Sequence, residues 1–251
     1  MSYEETLSLF CVTVSARVWM RSKLEAHRME DLPKFLDVDA TWVDERANIG
    51  AGTLIFPGCS IEGEVTVGKR CRILSGARII SSKSMAQEGY PKKTVIGDDC
   101  EIWPGTYVNV EAEDGVTLGL PHIKNSRIGR GSVVGALAEL NRVVMGKLCK
   151  AAHNCYLGDT VLGDESNVGA GFITANFDGT KKYKTVFGRE CFLGVNASSV
   201  APNGYPEGTT IAAGSTIPKN FTAHRPFGPF SLLLSRMKKV SVKPGRDSKQ
   251  K

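Results

Sequence analysis

An imidazole is the side chain best suited to exchange a proton near neutral pH. The chain has four, His27, His122, His153 and His224. No two are spaced HxxxxH, so their pattern does not read as a set of metal ligands. His153 stands in a dense polar string, AAHNCYLGD at 151–159. Seven cysteines occur without a CxxC pair, which argues against zinc or redox chemistry. Arg236, Lys238, Lys239, Lys243, Arg246, Lys249 and Lys251 crowd the last sixteen residues. That charge fits a solvated tail or contact with an anionic ligand such as a nucleotide. No nucleic-acid recognition motif accompanies it, so nucleic acid is not an expected partner.

The elements that position these residues are set by a period of six. Val43, Ile49, Ile55, Ile61, Val67, Ile73 and Ile79 follow one another without interruption. Ile96, Ile102 and Val108 resume the period. Ile128, Val134, Leu140, Met145, Ala151, Leu157, Leu162 and Val168 continue it with two steps of five. Phe187, Leu193, Ser199, Tyr205, Ile211 and Ile217 close it. Six is far from a multiple of 3.6, so helices are excluded here. Glycine often follows the repeat position, as at Gly50, Gly68 and Gly163, which suits a corner. A small residue stands four positions on, as at Ala47, Thr53 and Ser132. Cys59, Cys71, Cys100, Cys149, Cys155 and Cys191 occupy that slot, where cysteine packs as a small hydrophobe. Short strands, corners and three faces per turn make a triangular prism of stacked parallel strands.

Three regions follow: residues 1–42, an N-terminal helix and linker; 43–220, the prism; and 221–251, a C-terminal segment and basic tail. Phe10, Val14, Val18, Leu24 and Met29 recur at helix-like spacing in the first. Excursions from the prism are expected at 81–94, 109–126 and 176–185, and loops on a rigid scaffold commonly carry function. The composition, 41% hydrophobic and 23% charged with a net charge of +6, is ordinary for a globular protein. No stretch approaches the roughly 20 apolar residues that span a bilayer. Glu4 and Glu5 stand where a secretory signal needs cations. A cytoplasmic protein without a membrane partner, its thiols free, is expected.

Residues 151–185, AAHNCYLGDTVLGDESNVGAGFITANFDGTKKYKT, resemble the acetyltransferase half of the bifunctional glucosamine-1-phosphate N-acetyltransferase and N-acetylglucosamine-1-phosphate uridyltransferase family. VAP at 200–202, TIAAGST at 210–216 and the entry segment RSKLEAHRMEDLPKFLDVDATWVDE extend the likeness over most of the chain. The six-residue repeat is specific to fold; the AHxxYLGD and NVGAG…NFDG strings are more specific to function. The resemblance implies an all-β fold, a left-handed parallel β-helix of hexapeptide repeats. It implies acetyl-CoA as co-substrate, no metal for the transfer, a homotrimer with the site between prisms, and a small amine as acceptor. The nucleotidyltransferase half is not part of the likeness, so synthesis of the sugar nucleotide is not expected.

By this resemblance His153 matches the general base and Glu139 the carboxylate that orients it, a logic shared with triads. Tyr156, Asn167 and Lys182 match acceptor-site residues. Asn176 matches a residue near the acetyl group, and Ala170 and Ala213 match small positions along the CoA groove. Arg236 matches a tail arginine on the CoA phosphates. Departures also stand out. Asn109 and Asn141 replace an arginine and a lysine on the acceptor phosphate. Arg142, beside Asn141, is expected to point to the other face. Phe177 replaces a tyrosine, and Val195 a serine near CoA. Charge-assisted hydrogen bonds are each worth roughly 1.5–3 kcal/mol. An N-acetyltransferase with an acceptor altered from glucosamine 1-phosphate is therefore expected. Glucosamine 1-phosphate itself and a non-catalytic β-helix scaffold are the alternatives. A γ-carbonic-anhydrase-like hydratase would need three convergent histidines, which the spacing does not offer.

Overall fold

Aliphatic side chains about six residues apart bury themselves by stacking coil on coil, from Lys34–Phe35 to Thr216–Ile217 among the described residues. A computed structural model describes residues 13–24 and 32–221. One face of the prism is a ten-stranded parallel sheet running from Lys34–Phe35 to Thr210–Ile211. The other two faces form one 18-stranded sheet. They are joined because the strands Gly105–Ala112 and His122–Ile128 run around the corner between them. Isoleucine stacks on isoleucine in register, as in Ile61↔Ile79 and Ile55↔Ile73. Both members of each pair are fully buried. Coils that repeat every strand spacing, about 4.8 Å, give each inward side chain a like neighbour above and below.

The small slot behaves as expected. All six cysteines in it are buried and free. All but the Cys155 thiol point at backbone carbonyls of the next coil, as from Cys149 Sγ to Gly163 O at 3.1 Å and from Cys71 Sγ to Gly97 O at 3.1 Å. Burial pushes the Cys149 thiol up to about 11 and the Cys155 thiol up to about 12.

Three expectations need correction. The segment 109–126 is not an excursion. From Ile102 the inward positions run Tyr107, Ala112, Leu118, Ile123 and Ile128, in steps of five, five, six, five and five. Tyr107, not Val108, holds the register, pairing with Ile79 and Ile123. Its ring fills the interior, and its hydroxyl donates to Trp103 O at 2.8 Å. All but the first of the short steps in the prism pass a corner where a non-glycine residue turns left-handed: Asn109 (φ 52), Leu120 (φ 55), Asn125 (φ 48), Arg142 (φ 60) and Asp159 (φ 49).

The second correction concerns the N-terminal segment. Thr13–Ser15 is a strand, antiparallel to Trp42–Asp44, and the helix is Ala16–Leu24. Ala16 and Trp19 face the prism, with Trp19 edge-on to Phe35 at 5.9 Å, whereas Val18 is exposed. Phe10 and Met29 lie outside the described residues. Third, Lys34–Phe35 is no linker but a strand paired with Leu54–Ile55. Residues 81–94 and 176–185 do leave the prism. Both leave from the corner that carries Asn109, Asn125, Arg142 and Asp159, one coil before Asn109 and one coil after Asp159.

Candidate functional site

Strand register assembles the site. On the face after the His153 corner, side chains two residues apart point outward together. One outward row runs His122, Glu139, Tyr156, Ile173 in successive coils. The next runs Lys124, Asn141, Gly158. Glu139 therefore has His122 on one side and Tyr156 on the other. Burial and the Lys124 charge push the His122 imidazole below its ordinary value, while Glu139 opposes them. Burial, then the Glu139 charge, pushes the Tyr156 phenol up, so it stays a proton donor.

Gly158 lies beneath this patch. A Cβ there would come within 2.5 Å of Asn176 Nδ2 and 2.8 Å of the Tyr156 hydroxyl. The missing side chain is what lets those two groups close over the strand.

The adjoining corner is polar and buried. Arg142 donates through Nε to Asp159 Oδ1 at 2.5 Å and through Nη2 to Oδ2 at 2.8 Å. Asn176 Nδ2 donates to the same Asp159 Oδ2. Burial alone would raise the Asp159 carboxyl. Hydrogen bonds from Arg142 and Asn176, with the charges of Arg142 and Lys182, outweigh it and hold the carboxyl below the usual carboxylate range. Arg142 does not point to the other face, as its place after Asn141 suggested. Its left-handed backbone turns it back, and Nη1 donates to Asn141 Oδ1 at 2.9 Å. Guanidinium only donates, so the Asn141 oxygen is committed and its amide N–H groups face outward.

The expected residues divide by position. Glu139, Asn141, Tyr156, Asn176 and, through its charge on Asp159, Lys182 come together. Ala170, Val195 and Ala213 stack at the neighbouring corner, where Asn196 N donates to Ala170 O and Gly214 N to Val195 O, each at 2.8 Å. His153 sits at that corner one coil earlier, since Gly171 N donates to Asn154 O. His153 is exposed, and within this chain no hydrogen bond joins it to Glu139. Asn167 lies around the corner on the ten-stranded face, between Lys150 and Phe192. Phe177 is exposed at the start of the second loop and bridges to Lys182. Arg236 lies outside the described residues.

Asn109 does not join them. It is fully buried, accepts from Ser82 N at 2.8 Å, and donates to Ser82 O at 2.9 Å and Asn125 Oδ1 at 3.3 Å. Its polar atoms are spent on the corner. Besides Arg142, the cation beside Asn141 is Lys124, in register on the preceding coil; treating 109–126 as an excursion hides it, whereas outward alternation from buried Ile123 finds it. Clefts lie at the prism's ends, lined by Trp19, Lys23 and Lys69 at one and by Pro202, Asn203 and Phe221 at the other. The patch around Glu139 and Tyr156 lies between them along the prism, with Glu139 exposed and Tyr156 half-buried. No helix among the described residues is long and apolar enough to cross a membrane.

A family model described as bacterial transferase hexapeptide (six repeats) matches residues 46–81. With the stacked parallel coils this identifies the chain as a hexapeptide-repeat protein built as a parallel β-helix. Within that family it is 31% identical over 236 residues to the bifunctional protein GlmU of Clostridium botulinum (strain 657 / Type Ba4), across 93% of this chain and 48% of the relative. It is 33% identical over 230 residues to bifunctional protein GlmU of Pelobacter propionicus, across 90% of this chain and 46% of the relative. The chain spans about half the length of the curated relatives it matches. Among solved structures, UDP-N-acetylglucosamine O-acyltransferase (LpxA) from Moraxella catarrhalis aligns at a TM-score of 0.36 and 16% identity, covering 71% of this chain and 65% of that one.

Proposed function

We propose that this chain transfers an acetyl group from acetyl-CoA to the amine of a small amino sugar or related compound. The observation that carries this reading is the patch itself. Glu139, Tyr156, Asn141 and Asn176 come together from separate coils, one corner away from His153 and the Ala170–Val195–Ala213 stack. The acceptor nitrogen attacks the thioester carbonyl, forming the C–N bond. His153 takes the proton that the nitrogen loses, and the C–S bond breaks. The imidazolium then returns the proton to the departing thiolate. Glu139 is placed to favour the imidazolium once a neighbouring prism completes the site, and its exposure in the single chain supports a homotrimer. Lys124 and the outward amide of Asn141 provide one cation and one neutral donor for the acceptor's polar end. That set suits a singly charged or hydroxylated acceptor better than a phosphate dianion.

The test is mass spectrometry of the purified chain with acetyl-CoA and a panel of amines. At least one amine should gain an acetyl group, and His153→Ala should slow the reaction by roughly 10²–10⁴-fold. An inert wild type, or a variant as fast as wild type, would overturn the proposal.

A further inference from the structure

The loop between Ile80 and Thr94 does not stand away from the prism. Its first turn is pinned by the paired hydrogen bonds between Asn109 and the Ser82 backbone, at 2.8 and 2.9 Å. Its return is pinned by Thr94, whose N–H donates to Ser81 Oγ at 2.8 Å and whose hydroxyl donates to Ile80 O at 2.6 Å. Between these anchors the chain descends along the tight corner. Arg127 Nη1 donates to Gly89 O at 3.2 Å, and Pro91 is buried. Tyr90, between Gly89 and Pro91, is half-buried and lies in electrostatic range of Asp159, Arg142 and Arg127.

The loop thus leaves at the coil of Ile79 and, held at Gly89 by Arg127, brings the Tyr90 phenol within electrostatic range of Arg142 and Asp159, three to four coils on. At about 4.8 Å per coil that is roughly 15–20 Å along the prism. The second loop approaches Asp159 from the other end, bringing the Lys182 charge. Between the two lies the edge of the patch formed by Asn141, Tyr156 and Asn176.

We propose that Tyr90 is a specificity-determining residue of the acceptor site, walling its corner end so that it admits a hydroxylated amine of single-sugar size and excludes one with a bulky substituent. The inference rests on the acceptor patch assigned above. A tyrosine ring offers an apolar face to the C–H face of a sugar ring and a hydroxyl to one of its oxygens. Burial is the main influence on the Tyr90 phenol and raises it, so the hydroxyl keeps its proton. Arg142 and Asp159 already satisfy one another, which leaves that hydroxyl for a ligand.

The test compares the full chain with Tyr90→Phe and Tyr90→Ala. Acceptors of increasing size would be glucosamine, glucosamine 1-phosphate and a uridine-diphosphate-linked glucosamine, with saturating acetyl-CoA. Calorimetric affinity for CoA reports whether the rest of the site is intact. Tyr90→Phe keeps the covering ring and should raise KM for the preferred small acceptor about fivefold. Tyr90→Ala should raise it roughly tenfold or more and increase the kcat/KM ratio of the largest acceptor to the smallest by about tenfold. CoA affinity should not change. If wild type acetylates an acceptor and both variants match it in KM and size selectivity, Tyr90 only covers the corner and this inference falls alone. If wild type binds CoA but acetylates no amine, the transferase reading falls first and this one with it.

Discussion

Two arginine–aspartate pairs in this molecule have nearly the same geometry and different surroundings. Arg70 holds Asp99 with two bonds of 2.7 Å, and Arg142 holds Asp159 with bonds of 2.5 and 2.8 Å. All four residues have a left-handed backbone at a prism corner. The side chains of the first pair are 58% and 54% exposed; those of the second are 9% and 13% exposed. The first pair decorates coils that keep the six-residue step. The second sits where the step shortens to five, receives Asn176 and Asn141, and has the two loops converging on it. The repeat builds the rod, and the buried polar corner forms where the repeat is broken.

The largest expected effect is at the buried pair. Asp159→Asn removes the charge while nearly keeping the shape, leaving Arg142 buried without its partner. Loss of one member of such a pair costs about 3–5 kcal/mol. The expected result is a melting temperature lower by roughly 10 °C, measured by calorimetry, with acetyl transfer strongly reduced because Asn176 and Asn141 lose their anchor. The sign of the pH dependence follows from the depressed carboxyl. Its contribution is fully present above the unfolded aspartate value, about 3.9, and is lost as pH falls through the lower folded value. Wild type should therefore destabilise on acidification more steeply than Asp159→Asn. Parallel curves would mean that the pair contributes no net stability.

A smaller effect separates the two residues competing for the role of acceptor cation site. Lys124 faces outward beside Asn141, whereas Asn109 is closed inside the corner. Lys124→Gln removes one charge-assisted contact worth roughly 1.5–3 kcal/mol, so KM for an anionic acceptor should rise about tenfold or more with the melting temperature unchanged. Asn109→Ala should instead lower the melting temperature, and any rise in KM should follow that of Tyr90→Ala, whose loop it pins, and be the same for neutral and anionic acceptors. An unchanged KM in Lys124→Gln would remove that lysine from the site.

How much of this was legible in the sequence follows from the same contrast. The coils from Val43 to Ile79 announce themselves, because an aliphatic residue recurs at a fixed step and a small one packs between. Glu139 and Tyr156 stand seventeen apart, one coil of five, six and six, and pair in register, but it is the family resemblance and not the period that names them as site residues. From Ile102 to Ile128 most steps shorten to five, and Tyr107 and Ala112 replace the usual aliphatics. The period dissolves there, so Lys124 goes unseen and the burial of Asn109 cannot be read. Arg142 was misdirected because strand alternation does not hold at a left-handed corner. Tyr90 carries no local signal at all. Its position depends on where Asn109 and Arg127 pin a loop, coils away in space and up to 37 residues away in sequence.

The exposed pair supplies the smallest prediction and the control for the largest. Arg70→Gln breaks a bidentate bond whose geometry is as good as that of Arg142, but water can replace it at both ends. Exposed ion pairs pay side-chain entropy, are screened by salt, and commonly contribute nothing measurable. Hydrogen bonding to Arg70 holds the Asp99 carboxyl below its usual range, so a pH-dependent contribution exists in principle. Solvent at that corner should screen it away. The expected result is a melting temperature indistinguishable from wild type at physiological salt, with acetyl transfer unaffected. A drop matching that of Asp159→Asn would show that corner geometry, rather than burial, sets the strength of these pairs, and the distinction between the regular coils and the broken ones would lose its energetic basis.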